Sequence, residues 1–262
     1  FAMQGDEQRN LVNNLGDYLD AKNYTVSSVE DMLFALDFFQ DVNNPNITFE
    51  QFVSYFLEEY QETSTDLEVI DPDLITFDEP VVQASLPSFN SMILAFPKLT
   101  QNGYYYQMPT PQVYNLVGGS LLNSYLADPD LYGNACSIRG SRGLLYSGIH
   151  IPVLNYGNGQ RTQKGADGKN YILDAVSFDK FMVSKFGEAT HKLTGADANN
   201  PTKVAEMLKG KTGIYVIVNS NPGNSGANYS GHVDLIINGQ CIGGEYTTPR
   251  GGVKSIRIWI LN

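Results

Sequence analysis

The chain has 262 residues, of which 42% are hydrophobic and 17% charged, and this apolar content excludes a largely disordered chain. At about 150 residues per domain, its length predicts one or two domains. No run approaches the roughly 18 apolar residues of a membrane span, so we expect none. The first ten residues also lack the basic start and apolar stretch of a secretory signal peptide.

The net charge of −11 is divided unequally along the chain. Residues 1–90 carry 18 acidic and 2 basic side chains, whereas residues 91–262 carry 10 acidic and 15 basic ones. Phosphate binding needs clustered Lys and Arg, and no such cluster is present, so nucleic acid is not the expected partner. The opposite charges of the two parts suggest that the N-terminal part docks onto the more basic part or onto a partner protein.

In residues 1–62, apolar side chains recur at helical spacing, as at Leu11 and Leu15. Two starts of capping-box type, at residues 27–30 and 48–51, precede further apolar faces. We therefore predict a small acidic helical domain over residues 1–62.

Residues 63–87 are acidic, proline-punctuated and without sustained period, which predicts a linker or loosely packed extended segment. Residues 88–262 show an α+β pattern. Its predicted helices are 135–146, 177–186 and one opening at Asn200-Pro201, and its predicted strands are 213–219, 232–237, 240–246 and 255–261. A helix that bears a cysteine thus precedes an antiparallel sheet that bears a histidine.

Cys136 lies at the predicted start of a helix, with Asn134 as a plausible N-cap. Free backbone N–H groups and the helix dipole stabilise a thiolate at that position, which favours a nucleophile. The competing interpretation is a small buried side chain. Two cysteines are too few for a disulfide framework or a four-ligand zinc site, and no metal or cofactor is expected.

His232 opens a predicted strand that ends at the hairpin pair Asn238-Gly239. If the two-residue turn sets the register, His232 lies opposite Glu245, about 5 Å away on the same face. Glu245 would then orient the imidazole for Cys136. Asp234 shares this face and is the alternative third residue. The other cysteine, Cys241, is interpreted as a packing residue.

Three stretches resemble the fourth family of type VI secretion amidase effectors, a branch of the papain-like NlpC-type cell-wall peptidases. They are residues 113–119 (VYNLVGG), residues 134–152 with NACSIRGSR at their start, and residues 230–235 (SGHVDL). The resemblance covers residues 88–262, and the cysteine and histidine stretches together are its most specific part.

This resemblance implies a papain-like domain that hydrolyses the γ-D-glutamyl–meso-diaminopimelate amide of peptidoglycan. Cys136 would be the nucleophile, His232 the general base and Glu245 the nearest match to the acidic third residue. The family also implies secretion, action on the cell wall in a rival's periplasm, and a cognate immunity protein. In such a site, Arg139 or Arg142 would bind stem-peptide carboxylates, although solvated surface charge is the more usual role.

Two alternatives remain at this stage. The same cysteine chemistry would serve a papain-like protease or acyltransferase acting on a protein. A non-catalytic wall-binding module with a structural Cys136 would need no such chemistry.

Overall fold

The computed structural model describes residues 69–129, 131–220, 229–249 and 251–262. The predicted helical domain over residues 1–62 lies outside the described residues, as does the start of the predicted linker. Within the described ranges, no helix combines the length and the apolar composition needed to cross a membrane.

The described part combines helices with short antiparallel sheets, so the α+β prediction is confirmed. The helices are α1 (Phe89–Ala95), α2 (Thr110–Val117), α3 (Gly119–Ala127), α4 (Cys136–Tyr146), α5 (Ala175–Phe186), α6 (Gly195–Ala198) and α7 (Pro201–Leu208), besides a 3-10 turn at Pro72–Leu74. The strands are β1 (Thr76–Phe77), β2 (Lys98–Gln101), β3 (Tyr104–Gln107), β4 (Leu154–Tyr156), β5 (Gly159–Gln160), β6 (Thr162–Lys164), β7 (Asn170–Ile172), β8 (His191–Thr194), β9 (Gly213–Asn219), β10 (Gly231–Ile237), β11 (Gln240–Cys241) and β12 (Val253–Ile260).

The largest sheet has five antiparallel strands in the order β11–β10–β9–β12–β8. Its central strand β9 is buried along its whole length, as the apolar run over residues 214–218 predicts. The hairpin register at Ile237 and Gln240 is the predicted one, but β11 ends at Cys241 instead of reaching residue 246. The smaller sheets are β1–β4–β5, β2–β3 and β6–β7.

Two hydrophobic clusters cover the two faces of this sheet. Along β9, Ile214 and Val216 belong to the larger cluster, whereas Tyr215 and Ile217 belong to the smaller one. The larger cluster includes α4 and α5, and the smaller cluster includes Leu208 of α7. Period-two alternation along the strand therefore builds a three-layer arrangement, with helices on both sides of the sheet.

Helix α4 packs directly against β10, and Gly140 permits this approach. A side-chain carbon at residue 140 would lie 2.6 Å from Cγ1 of Val233 and 2.8 Å from the Phe178 ring. Such distances are too short for carbon atoms. The missing side chain therefore lets the start of α4 reach the strand that bears His232.

The described residues of the predicted linker pack on the rest of this unit. Strand β1 pairs with β4, and the backbone N–H of Asp78 donates to the carbonyl of Val153 at 3.1 Å. The N–H of Ala84 donates to the carbonyl of Lys185 at 2.9 Å. Apart from the 3-10 turn at Pro72–Leu74, residues 69–87 thus form an extended segment held to the domain by backbone hydrogen bonds.

Candidate active site

Cys136 is the first residue of α4 and is 5% exposed. The helical hydrogen bonds begin with the N–H of Arg139, which donates to the carbonyl of Ala135 at 2.9 Å. Ala135 is therefore the N-cap, and the assignment of that role to Asn134 was wrong by one residue. The N–H groups of the first turn have no acceptor within the helix. The sulfur of Cys136 therefore lies at the positive end of the helix dipole, as predicted.

His232 is buried at the start of β10, 5% exposed, and interacts with two side chains. Its Nε2 atom lies 3.4 Å from Oδ2 of Asp234. It also shares a hydrogen bond with the Cys136 thiol. Since Nε2 faces the carboxylate, Nδ1 is the nitrogen left for the sulfur. The structure thus brings Cys136, His232 and Asp234 together in one chain of contacts.

The surroundings of Cys136 favour its ionised form. Burial by itself raises the pKa of the Cys136 thiol, but hydrogen bonds from His232 and from the backbone N–H of Val233 lower it. The positive charge of Arg139 acts in the same direction. The net effect places the pKa of Cys136 below its ordinary value.

His232 is shifted in the opposite direction. Burial by itself lowers the pKa of His232, but its hydrogen bonds to Asp234 and Cys136 outweigh burial and raise the pKa to about 9. A lowered pKa of the thiol beside a raised pKa of the imidazole favours a thiolate–imidazolium pair.

Asp234 is held by two backbone donors in addition to its contact with His232. The N–H of Leu235 donates to Oδ1 at 2.7 Å, and the N–H of Gly243 donates to Oδ2 at 2.5 Å. A side-chain carbon at residue 243 would lie 2.3 Å from the amide end of Gln107, so the Gln107 side chain would have to move. These bonds fix the carboxylate and satisfy it in a buried position.

Glu245 is not opposite His232, so the predicted pairing of these two residues was wrong. After Cys241 the chain leaves the ladder, and Gly244 and Tyr246 adopt φ angles of +108° and +51°. The Glu245 carboxylate instead accepts a hydrogen bond from the backbone N–H of Cys241 at 3.0 Å. The alternative third residue, Asp234, occupies the position beside His232.

Arg139 is buried and Arg142 is partly buried, so Arg139 is not a solvated surface charge. Arg139 is 3% exposed, and its Nη2 donates to the carbonyl of Met108 at 2.6 Å. Nη1 of Arg142 donates to the carbonyl of Ala95 at 2.7 Å, and its guanidinium lies over the Tyr146 ring. Each guanidinium thus makes at least one contact within the protein, and binding of stem-peptide carboxylates by either arginine stays a prediction.

Sequence reasoning missed Tyr246. Its ring centroid lies 4.3 Å from that of His232, with the planes inclined by 38°. An aromatic residue after Gly243-Gly244 is a weak signal, because the contact depends on the irregular path of this loop. The backbone N–H of Val233, which donates to Cys136, has no sequence signature at all.

The remaining candidate residues lie outside this cluster. His150 is largely exposed, with its Nε2 2.5 Å from a carboxylate oxygen of Glu79, and His191 opens the edge strand β8. Cys241 is a free thiol that packs against the smaller hydrophobic cluster, in agreement with its interpretation as a packing residue.

Comparison with known proteins gives one family and several similar structures. The model of the family described as type VI secretion system (T6SS), amidase effector protein 4, matches residues 132–260. This range contains Cys136, His232 and Asp234. No curated protein matches the chain significantly.

Among solved structures, a chain in the effector–immunity complex Tae4–Tai4 from Salmonella Typhimurium is 24% identical, with a TM-score of 0.50. The match covers 68% of this chain and 100% of that one. A chain in the corresponding complex from Enterobacter cloacae is 22% identical, with a TM-score of 0.50. That match covers 68% of this chain and 99% of that one. At these identities the structures show a shared fold. The match over residues 132–260 is to the fourth family of type VI secretion amidase effectors, the family that the sequence resembles.

Proposed function

We propose that this protein is a cysteine amidase that hydrolyses bacterial peptidoglycan at the γ-D-glutamyl–meso-diaminopimelate bond of the stem peptide. The observation that carries the proposal is the buried contact chain from Cys136 through His232 to Asp234, within the residues matched by the family. The family match supports amide hydrolysis, and the contact chain supports cysteine chemistry of the papain-like type.

The reaction follows from the protonation states of the pair. The Cys136 thiolate attacks the amide carbonyl carbon and forms a carbon–sulfur bond, while first-turn N–H groups of α4 stabilise the oxyanion. The imidazolium of His232 donates its proton to the leaving amine as the carbon–nitrogen bond breaks. His232 then accepts a proton from a water molecule as the water oxygen attacks the thioester carbon. The carbon–sulfur bond breaks, which releases the carboxylic acid and restores the thiolate–imidazolium pair.

We assign the third position to Asp234. Its carboxylate stabilises the imidazolium and keeps Nδ1 directed at the sulfur, as the acid of a nucleophile–base–acid triad does. Its two backbone donors hold it in place during proton transfer.

The biological setting of the proposal is a secreted antibacterial effector that acts on the cell wall in the periplasm. Its partners would be peptidoglycan and a cognate immunity protein, since the similar structures include effector–immunity complexes. The acidic residues 1–62 remain a predicted helical domain that docks onto a secretion component or onto the more basic catalytic part.

The test is digestion of isolated sacculi with the full chain and its Cys136→Ala variant. Released muropeptides are identified by mass spectrometry, with Cys241→Ala as the matched thiol control. We expect new amino termini on diaminopimelate from the unaltered protein and from Cys241→Ala, and none from Cys136→Ala. Equal products from Cys136→Ala would exclude Cys136 as nucleophile. No products from sacculi of several wall chemistries would favour a protein substrate or a binding module.

A further inference from the structure

The loop after β11 folds back over the catalytic histidine. Tyr246 places its ring 4.3 Å from the His232 ring and meets the Tyr229 ring edge-on at 5.7 Å. Tyr246 remains 44% exposed, whereas His232 beneath it is 5% exposed. The tyrosine ring thus separates the imidazole from solvent.

Several bonds specify this loop. The Tyr215 hydroxyl donates to the carbonyl of Glu245 at 2.6 Å, and the Glu245 carboxylate accepts from the N–H of Cys241 at 3.0 Å. Gly243 is tied to Asp234 through its N–H. The loop is therefore anchored on both strands of the β9–β10 pair and on the acid of the site.

The backbone of Tyr246 is held in a conformation that tyrosine rarely adopts. Its φ angle is +51°, which favours glycine or asparagine, so a large side chain there carries a conformational cost. Strained residues of this kind persist where the surrounding structure fixes them, and they concentrate at functional sites. Here the strained backbone directs the ring onto His232.

We propose that Tyr246 is a positioning residue. Its ring holds the His232 imidazole in the orientation that contacts Cys136 and Asp234 together, and it excludes water from both contacts. This inference rests on the proposed roles of Cys136 and His232. Water around the imidazole would weaken its hydrogen bonds with both neighbours, and a rotated ring would lose one of them. The Glu245 carboxylate acts on the histidine only indirectly, because it stabilises the loop that carries Tyr246.

The groups that face the pair come from several elements. Asp234 lies on the same strand, Arg139 on α4, Tyr114 on α2 and Tyr246 on the loop. Of these, Tyr246 alone belongs to a segment without regular secondary structure. Its ring is thus the contact that a substitution can remove without disturbing a helix or strand.

The test compares Tyr246→Gly, Tyr246→Phe and an exposed control, Tyr104→Ala, in the full chain. Glycine removes the ring and adopts a φ of +51° without strain, so the loop keeps its path. Tyr104 is 69% exposed and lies on β3. Iodoacetamide alkylation of Cys136 is followed from pH 5 to 10 by peptide mass spectrometry, which separates Cys136 from Cys241. Sacculus digestion gives kcat and KM.

We expect Tyr246→Gly to form its thiolate at higher pH, with alkylation at pH 6 about tenfold slower, equivalent to one pH unit. Its kcat should fall while KM is unchanged, and Tyr246→Phe and Tyr104→Ala should match the unaltered protein. An unchanged alkylation profile with a raised KM would overturn the inference and make Tyr246 a substrate contact. If Cys136 of the unaltered protein reacts like an ordinary thiol at pH 6, the proposed function fails as well, whatever Tyr246 does.

Discussion

The Oδ2 atom of Asp234 lies 3.4 Å from Nε2 of His232, two positions earlier on the same strand. Residues two apart on a strand project from one face, so β10 alone carries His232 and Asp234, the proposed base and acid. The acid is fixed by the N–H groups of Leu235 and Gly243. Base and acid are therefore built from one short segment and the loop that follows it.

Replacing Asp234 by Asn should lower kcat for muropeptide release by about 100-fold, or about 2.7 kcal/mol of transition-state stabilisation. The amide lacks the charge that stabilises the imidazolium. The matched control is Glu245→Gln, which retains an oxygen acceptor for the N–H of Cys241 and should remain within about twofold of full activity. A large loss in Glu245→Gln and none in Asp234→Asn would return the third position to Glu245.

The pH profile of the amidase should have two limbs. Activity should rise through the pKa of Cys136, which lies below its ordinary value, because the thiolate is the attacking form. It should fall as pH rises through about 9, where His232 loses the proton that the leaving amine needs. Initial rates of muropeptide release from pH 5 to 10 measure both limbs. An upper limb near pH 6.5 would mean that Asp234 and Cys136 do not hold the proton on His232.

Regular periodicity in the sequence was enough to predict the elements that carry the reacting groups. The predicted helix over residues 135–146 and the predicted strand over residues 213–219 lie within about two residues of α4 and β9. Cys136 and His232 were identified because each lies at the first or second residue of such an element. Local pattern, together with the family resemblance, thus selected Cys136 and His232 as the candidate nucleophile and base.

The third residue and the supporting contacts depend on features that have no local period. Extrapolating the hairpin ladder from Gln240 assigned Glu245 to His232, but the positive φ angles of Gly244 and Tyr246 divert the chain. The burial of Arg139 follows from the path of a distant loop that presents the carbonyl of Met108. Such contacts depend on tertiary packing rather than on sequence spacing.

Replacing Arg139 by Met should slow alkylation of Cys136 at pH 6 by about tenfold, because removal of the buried positive charge raises the pKa of the thiol. Arg139→Lys keeps a charge and should retain most of the reactivity. Iodoacetamide kinetics measured across pH, independent of peptidoglycan, give the comparison.

Arg142→Met is the control that separates the effect of losing a positive charge near Cys136 from the effect of a less stable fold. Both arginines donate to a backbone carbonyl, so either substitution should cost about 1–3 kcal/mol of unfolding free energy. Of the two arginines, Arg139 is the one whose charge lowers the pKa of Cys136. Equal slowing of alkylation in both variants would show that loss of helix packing, not loss of charge, changes the thiol.

Replacing Gly140 by Ala should destabilise the fold and separate the two halves of the site. The new carbon would lie 2.6 Å from Cγ1 of Val233 and 2.8 Å from the Phe178 ring, so α4 must move away from β10. Overpacking of this kind costs about 1–3 kcal/mol, and the loss of contact between Cys136 and His232 should lower thiolate reactivity as well. Urea unfolding and iodoacetamide kinetics measure the two effects.

Gly159→Ala provides the matched substitution outside the core. There the nearest atom to the added carbon is the carbonyl oxygen of Tyr156 at 3.7 Å, an ordinary contact, so stability and thiol reactivity should both be preserved. If Gly140→Ala were as stable and as reactive as Gly159→Ala, the close approach of α4 to β10 would not be what holds Cys136 beside His232. Destabilisation with unchanged thiol reactivity would mean that the start of α4 is held by its own contacts, such as the Arg139 bond to Met108.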